Sequence, residues 1–299
     1  MLTGLHVVFI GGDARQLEVI QKFYEMDATI TLVGFDQLEN KFAGVKKERL
    51  SEQLLSTADV ILLPPIGTDD KGNINSVFSG EDLQLSEKYF KSLAKHCSIY
   101  TGIAKPYLKE MCRKHQIKFV ELLARDDVAI FNSIPTAEGA VMLAIKNTDI
   151  TIHSSNCIVL GMGRTGITLA RVLQGLGANV QVGVRRGEQF ARSFEMNLKP
   201  FYSKDLVNHV SEVDLLFNTI PSMIITAEVI ANMPNRTVII DLASKPGGTD
   251  FRFAEKRGVK AMLAPGLPGI VAPKTAGQII ANCVSEIVME DYQIWRNAK

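Results

Sequence analysis

Three features of the sequence predict an α/β fold with two parallel-sheet domains. Short apolar runs alternate with amphipathic helical patterns along the whole chain, the order that builds parallel sheets with crossover helices. One run, Cys157-Ile-Val-Leu, passes directly into Gly161-Met-Gly163-Arg-Thr-Gly166 and then into an amphipathic helix. A degenerate copy of that opening stands near the N-terminus, at Val7-Val-Phe-Ile-Gly11-Gly-Asp13-Ala-Arg15-Gln16. The 299 residues suffice for two cores, and the expected division is 1–130 and 131–299.

In the first half, strands are expected at His6–Ile10, Thr29–Val33, Val60–Leu63, Ser98–Tyr100 and Lys118–Leu122, and helices over Ala14–Met26, Glu81–Lys95 and Pro106–His115. The first glycine of the turn survives as Gly11, but Asp13 and Gln16 replace the other two. A carboxylate at the point of closest approach repels a pyrophosphate, and a bulky Gln holds the helix off the sheet. The second strand leads to Asp36, an acid placed as in NAD-binding chains, yet the broken cradle argues against that reading. The first half therefore reads as a substrate domain of similar topology, with Arg15 free to meet an anion at its helix start.

The join is expected at Phe131–Lys146, where cap-type residues and Pro135 in a first turn precede an apolar stretch. Glu138 reads as dipole complement in that first turn, or as a functional acid. Thr148–Asn156 is a polar approach to the strand at Cys157–Leu160. Further strands are expected at Val180–Val184, Leu215–Asn218, Val238–Asp241 and Lys260–Leu263. The helix after the glycines carries Ile167, Ala170, Leu173 and Leu176 on one face and stops at Gly177. A C-terminal helix, Thr275–Glu290, has a wide apolar face whose packing a return to the hinge or first domain would explain.

Strand, glycine turn, helix and strand together form a dinucleotide-binding βα unit. The expected fold is thus two Rossmann-like domains, of which the second binds the dinucleotide. Gly161 permits the tight turn, Gly163 lets backbone approach a pyrophosphate, and Gly166 lets the helix lie close on the strand. The expected cradle is Gly161, Met162, Gly163, Arg164, Thr165 and Gly166. NAD-binding copies end the second strand in Asp or Glu, about 20 residues past the glycines. Here Arg185-Arg186-Gly187 stands at that place, with no carboxylate before Glu188. Two guanidiniums can pair with an adenosine 2′-phosphate; the plainer alternative is a basic pair on a solvated turn. NADP is the expected cofactor.

Three strand-to-helix loops follow: Asn218–Pro221, Asp241–Thr249 and Pro265–Thr275. Their Gly and Pro density alone means tight turns. At one edge of one sheet they also suit a cofactor cleft, lined by Thr219, Ile220, Pro221, Ala243, Ser244 and Pro268. Charges that could fix a substrate are Asp13, Arg15, Lys105, Arg125 and Lys245, with Arg15 and Lys245 ranked first because each follows a strand end. No catalytic histidine stands out. Cys97, Cys112, Cys157 and Cys283 and the five histidines are scattered, so no metal site is expected; Cys157 and Cys283 read as small buried hydrophobes. A net charge of +1 gives no electrostatic reason to expect nucleic acid or an acidic membrane. No apolar run is expected to cross a bilayer, and Met1-Leu-Thr-Gly lacks a signal-peptide pattern. A cytoplasmic chain is expected.

Several segments together are more particular than the glycine motif: Phe9-Ile-Gly-Gly-Asp-Ala-Arg15-Gln, Asn132-Ser-Ile-Pro-Thr-Ala-Glu-Gly139, Asp241-Leu-Ala-Ser-Lys-Pro-Gly-Gly248, Leu263-Ala-Pro-Gly-Leu-Pro-Gly269 and Ala272-Pro-Lys-Thr-Ala-Gly277. With Val159–Gly166 they make the chain resemble, almost end to end, the A subunits of dipicolinate synthase from spore-forming bacteria. That resemblance implies an oxidoreductase that uses NADP to convert a hydroxylated tetrahydrodipicolinate into dipicolinate. It also implies a flavoprotein-like B subunit, a role in the mother cell during sporulation, and kinship with alanine and 2-hydroxyacid dehydrogenases. A small dicarboxylate substrate suits the cations at Arg15, Lys105, Arg125 and Lys245. A homo-oligomer is expected, its size left open. Two other readings stand beside this one: an amino-acid or 2-hydroxyacid dehydrogenase, which would usually need an evident general acid, and a non-catalytic NADP-binding subunit of a complex.

Overall fold

The computed structural model describes residues 1–39 and 42–297. They form two units, Met1–Val128 with the chain from Pro273 onward, and Ala129–Ala272. In the first unit the chain runs β1 (His6–Ile10), α1 (Ala14–Glu25), β2 (Thr29–Val33), β3 (Lys46–Lys47), α2 (Glu52–Ser56), β4 (Val60–Leu62), β5 (Asn73–Ile74), β6 (Leu83–Gln84), α3 (Glu87–Ser92), β7 (Ser98–Thr101), α4 (Pro106–Lys114) and β8 (Lys118–Glu121). A long helix, α5 (Asp126–Asn147), leads into the second unit. There follow β9 (Asn156–Leu160), α6 (Arg164–Gly175), β10 (Asn179–Val184), α7 (Gly187–Glu195), β11 (Lys199–Tyr202), β12 (Leu215–Asn218), α8 (Ala227–Ala231), β13 (Val238–Asp241), α9 (Phe251–Arg257), β14 (Lys260–Leu263) and α10 (Leu267–Val271). The last helix, α11 (Pro273–Asn297), belongs to the first unit.

Each unit is built on a six-stranded parallel sheet, ordered β3-β2-β1-β4-β7-β8 in the first and β11-β10-β9-β12-β13-β14 in the second. Strand order reverses at β1/β4 and at β9/β12. Adjacent crossovers leave in opposite directions there, which opens a crevice beyond the strands' carboxyl ends. Both faces of each sheet are covered, so its inner strands are largely apolar and buried rather than alternating. In β1, Val7 and Phe9 join one core with Ile20 and Phe23 of α1, while Val8 and Ile10 join another with Ile61 and Ile99. In β9, Cys157 and Val159 pack with Leu169 and Leu173 of α6, and Ile158 and Leu160 face Ile230 and Ile239.

The five expected strands of each half form, within a residue at their ends. β3, β5, β6 and β11 carry no apolar run. β11 contains Pro200, which the ladder accommodates because β11 is the sheet's edge. The expected helix over Glu81–Lys95 shrinks to α3, since Leu83 and Gln84 instead pair antiparallel with Ile74 and Asn73. The buried stripe of α6 is Gly166, Leu169, Ala170 and Leu173, and Leu176 is exposed.

The connecting helix starts at Asp126, not Phe131. Asp126 and Asp127 occupy its first turn and Pro135 lies inside it, so Glu138 is no first-turn dipole complement. Contrary to the sequence expectation, α5 is by length and composition apolar enough to cross a membrane. Here its Ala137, Ala140, Val141 and Ala144 are buried in the second unit's core.

The division at 131–299 needs correction as well; its last two positions lie outside the described residues. α11 packs in the first unit's core through Ile280, Cys283, Val284, Val288 and Tyr292, the wide apolar face that had to be covered. Asp291 accepts from Tyr100 Oη at 2.7 Å and pairs with Lys118 at 2.6 Å. All four cysteines are buried, and burial raises the Cys157 thiol to about 11.

Gly277 sets how closely α11 approaches α1. A Cβ there would lie 2.5 Å from the Arg15 carbonyl oxygen. Gly277→Val is therefore expected to destabilise the chain by about 1–3 kcal/mol, the usual cost of overpacking, read as a lower denaturation midpoint in urea.

Candidate active site

The second sheet's crevice is framed by three strand ends in register, Leu160, Asn218 and Asp241. The turn after β9 is tight because Gly161 adopts φ +96°, a conformation closed to most side chains. Gly166 allows α6 to start against that turn, since a Cβ there would fall 1.9 Å from the Gly161 carbonyl oxygen. Around Gly163 the space is open, with no atom within 4 Å of a would-be Cβ. The first N–H groups of a helix have no intrahelical acceptor. Among the described residues, those of Met162, Gly163 and Thr165 meet no backbone or side-chain acceptor elsewhere. Converging donors, open space and the positive end of a twelve-residue helix fit a pyrophosphate.

Beyond β10 the expected basic pair is exposed, and the two arginines differ. Arg186 spans back to Glu188 at 2.9 Å. Arg185 has no ion-pair partner among the described residues, and its backbone N–H donates to Gln189 Oε1 at 3.3 Å. Arg185 is thus the guanidinium open to a phosphate.

The loops after β12 and β13 are fixed by two polar residues whose part the sequence reading missed. Asn218 and Asp241 are fully buried. Asp241 Oδ1 accepts from Asn218 Nδ2 and from the Ala243 N–H, both at 3.0 Å, while Oδ2 accepts from the Gly248 N–H at 2.8 Å and Thr249 Oγ1 at 2.7 Å. Asn218 Oδ1 accepts from the Ile220 N–H at 2.9 Å. Four donors on one buried carboxylate shape the segment that presents Ala243, Ser244 and Lys245. The signal was present in the sequence: Leu-Leu-Phe-Asn218 and Val-Ile-Ile-Asp241 end alike in one polar residue.

Thr219 closes the cradle from the side, its Oγ1 donating to the Leu160 carbonyl at 2.7 Å. Ile220 is half-buried, whereas Pro221, Ser244 and Lys245 are exposed and Ala243 is buried. The Pro265–Thr275 segment is not an open loop. It forms α10, with Pro268 buried in its first turn and Leu267 packed in the core against α5.

The first sheet's crevice has the same topology and a different filling. The Gly12 N–H donates to the Asn75 carbonyl at 3.0 Å and the Val77 N–H to the Gly12 carbonyl at 2.9 Å, so chain from the β5–β6 insertion covers the turn. Asp13 caps α1 and accepts from the Arg15 N–H at 3.0 Å. Gln16 is buried, its Nε2 donating to the Leu63 carbonyl at 3.4 Å. Arg15 is not free, as the sequence suggested: Nε donates to Asp13 Oδ1 at 3.0 Å and Nη2 to Oδ2 at 2.6 Å. Burial pushes the Asp13 carboxyl up, but the hydrogen bonds and charge of Arg15 outweigh it and hold it below the usual carboxylate range.

Asp13, Arg15 and Lys105 line one cleft of about 370 Å³, with Pro64, Pro65 and Ile66 among its walls. Lys105 stands 3.7 Å from Asp70. The structure does not bring Arg125 to this cleft; it precedes α5 and pairs with Asp127 at 2.7 Å. Lys245 belongs to the second unit. Because a methyl at position 166 would meet backbone, Gly166→Ala is expected to weaken dinucleotide binding at least about tenfold, measured by titration calorimetry on protein whose thermal unfolding shows it folded.

Comparison with known proteins matches these units to two family models. Residues 6–123 match the N-terminal domain of the dipicolinate synthase A subunit, and residues 129–290 match the C-terminal domain of alanine dehydrogenase/PNT. The chain is 52% identical to the dipicolinate synthase A subunit of Bacillus subtilis strain 168, over 97% of this chain and 98% of that protein. It is similar to the crystal structure of the dipicolinate synthase A subunit from Bacillus halodurans, with a TM-score of 0.93 and 52% identity, covering 96% of this chain and 98% of that one. The corresponding Bacillus subtilis structure aligns with a TM-score of 0.93 and 51% identity, covering 98% of each chain. The second unit is a dehydrogenase-type dinucleotide-binding domain, and the chain belongs to the family of dipicolinate synthase A subunits.

Proposed function

We propose that this chain is an NADP-dependent oxidoreductase that converts a hydroxylated tetrahydrodipicolinate into dipicolinate. The observation that carries the cofactor choice is the open cradle at Gly161–Gly166 with Arg185, which has no ion-pair partner among the described residues, just beyond β10, where an NAD-binding chain would hold a carboxylate. Its family membership supports the substrate class.

In this reading the N–H groups of Met162, Gly163 and Thr165 hold the pyrophosphate and Arg185 pairs with the 2′-phosphate. The oxidised nicotinamide, when bound, accepts the hydride. The substrate loses water and then a hydride and a proton, and aromatisation of the ring drives both steps, so the chain needs no strong base. Its residues orient the ring: in the first unit's cleft, Arg15 and Lys105 meet carboxylates. The name of the relatives supports partnership with a second subunit, and the expected setting is the mother-cell cytoplasm during sporulation.

Arg185→Ala is expected to weaken NADP at least about tenfold, a loss of about 1.4 kcal/mol, with little change for NAD. Equal losses for both would remove Arg185 from the 2′-phosphate site. Reduction of NADP by the hydroxylated substrate, followed with and without the second subunit, tests the reaction. Reduction with amino or hydroxy acids instead would favour the second reading, which the alanine dehydrogenase match of residues 129–290 supports.

A further inference from the structure

The first unit carries an ion pair that a nucleotide-binding copy of the same fold would not contain. Asp13 sits where the second unit has Gly163, at the cap of its helix, and so places a carboxylate where the second unit leaves room for a phosphate. Its two oxygens grip Nε and Nη2 of Arg15 side-on. A guanidinium has a second bidentate edge, Nη1 with the outer N–H of Nη2. Among the described residues nothing accepts from Nη1 of Arg15, although the side chain is only 16% exposed. That residue lines the 370 Å³ cleft.

The remaining walls bear on what the outer edge could meet. Asp69 is occupied internally, accepting from the Lys71 and Asn73 N–H groups and from Asn73 Nδ2, each at 2.8 Å. Lys105 is a second cation, and Pro64, Pro65, Ile66 and Ile74 supply apolar surface suited to a ring face. The cleft thus combines a guanidinium held along one edge, an ammonium and apolar wall residues.

We propose that Asp13 is a positioning residue that holds Arg15 edge-on, so that the outer Nη1/Nη2 edge receives one carboxylate of a planar dicarboxylate in this cleft. The inference rests on the dicarboxylate reading above. It makes the first unit's degenerate cradle a carboxylate receptor: the acid that repels a pyrophosphate aims the arginine that binds a carboxylate. Side-on pairing removes the rotamer freedom Arg15 would otherwise lose on binding.

Asp13→Asn tests it with opposed signs. Asn caps a helix as well as Asp does, but its amide nitrogen cannot accept from the guanidinium. Loss of a negative charge alone would tighten an anion, whereas loss of positioning weakens it. The full chain, saturated with NADP, is titrated with pyridine-2,6-dicarboxylate in the calorimeter. The expected results are about tenfold weaker binding for Asp13→Asn, a loss at least as large for Arg15→Met, and no further loss in the double variant. NADP affinity is unchanged in all three, and in turnover Asp13→Asn raises KM more than it lowers kcat. Binding to Asp13→Asn as tight as to the unaltered chain, or additive losses, would overturn the positioning role alone. If the unaltered chain binds NADP but no dicarboxylate, the substrate reading falls and takes this inference with it.

Discussion

The N–H groups at the start of a helix that follows a strand must find acceptors, and this chain meets that demand in two ways. In the second unit they are left for a ligand, over a turn made tight by Gly161 and kept close by Gly166. In the first, the Arg15 N–H is met by Asp13 at the cap and the Gly12 N–H by the β5–β6 insertion on the glycine turn. One topology, used twice, yields a dinucleotide cradle and a closed counterpart. What distinguishes the two lies in a few side chains and one inserted segment, not in the sheets.

The sheets themselves follow from burial on both faces. Parallel strands covered by helices on each side must be apolar at every position, and the cores on either face of β1 and of β9 satisfy this. Once the strands lie in register, their carboxyl ends coincide, and polar residues at those ends become site residues by position. Asn218 and Asp241 show the consequence. They are buried, hydrogen-bonded to each other, and spend their remaining capacity on loop backbone and the Thr249 hydroxyl. A rigid rim results without any of its loops needing regular structure.

Much of this was legible in the sequence because strands buried on both faces announce themselves as apolar runs; the inner strands are of that kind, and the edge strands β8 and β14 keep enough apolar residues to show. Gly161 and Gly166 were legible because Gly161 needs a positive φ and a side chain at Gly166 would meet backbone, constraints that glycine answers. What stayed hidden lacks such a signal. β11 includes Pro200 and sits at an edge, and β5 and β6 are two residues each, held by their place in the insertion. The start of α5 is hidden because Pro135 looks like a first-turn proline, whereas Asp126 and Asp127 begin the helix. The state of Arg15 could not be read from spacing alone, since the same Asp-Ala-Arg sequence leaves the guanidinium loose or clamped according to the cap geometry. Whether Arg185 or Arg186 is available likewise depends on which of them reaches Glu188.

The central claim is that one turn of the two is open to a diphosphate. Hydrogen–deuterium exchange of the whole chain, with and without NADP, tests it most directly. The account predicts slowed exchange at Met162–Thr165 on adding the nucleotide, and no change at Gly11–Arg15. Protection at the first turn, or none at the second, would contradict it.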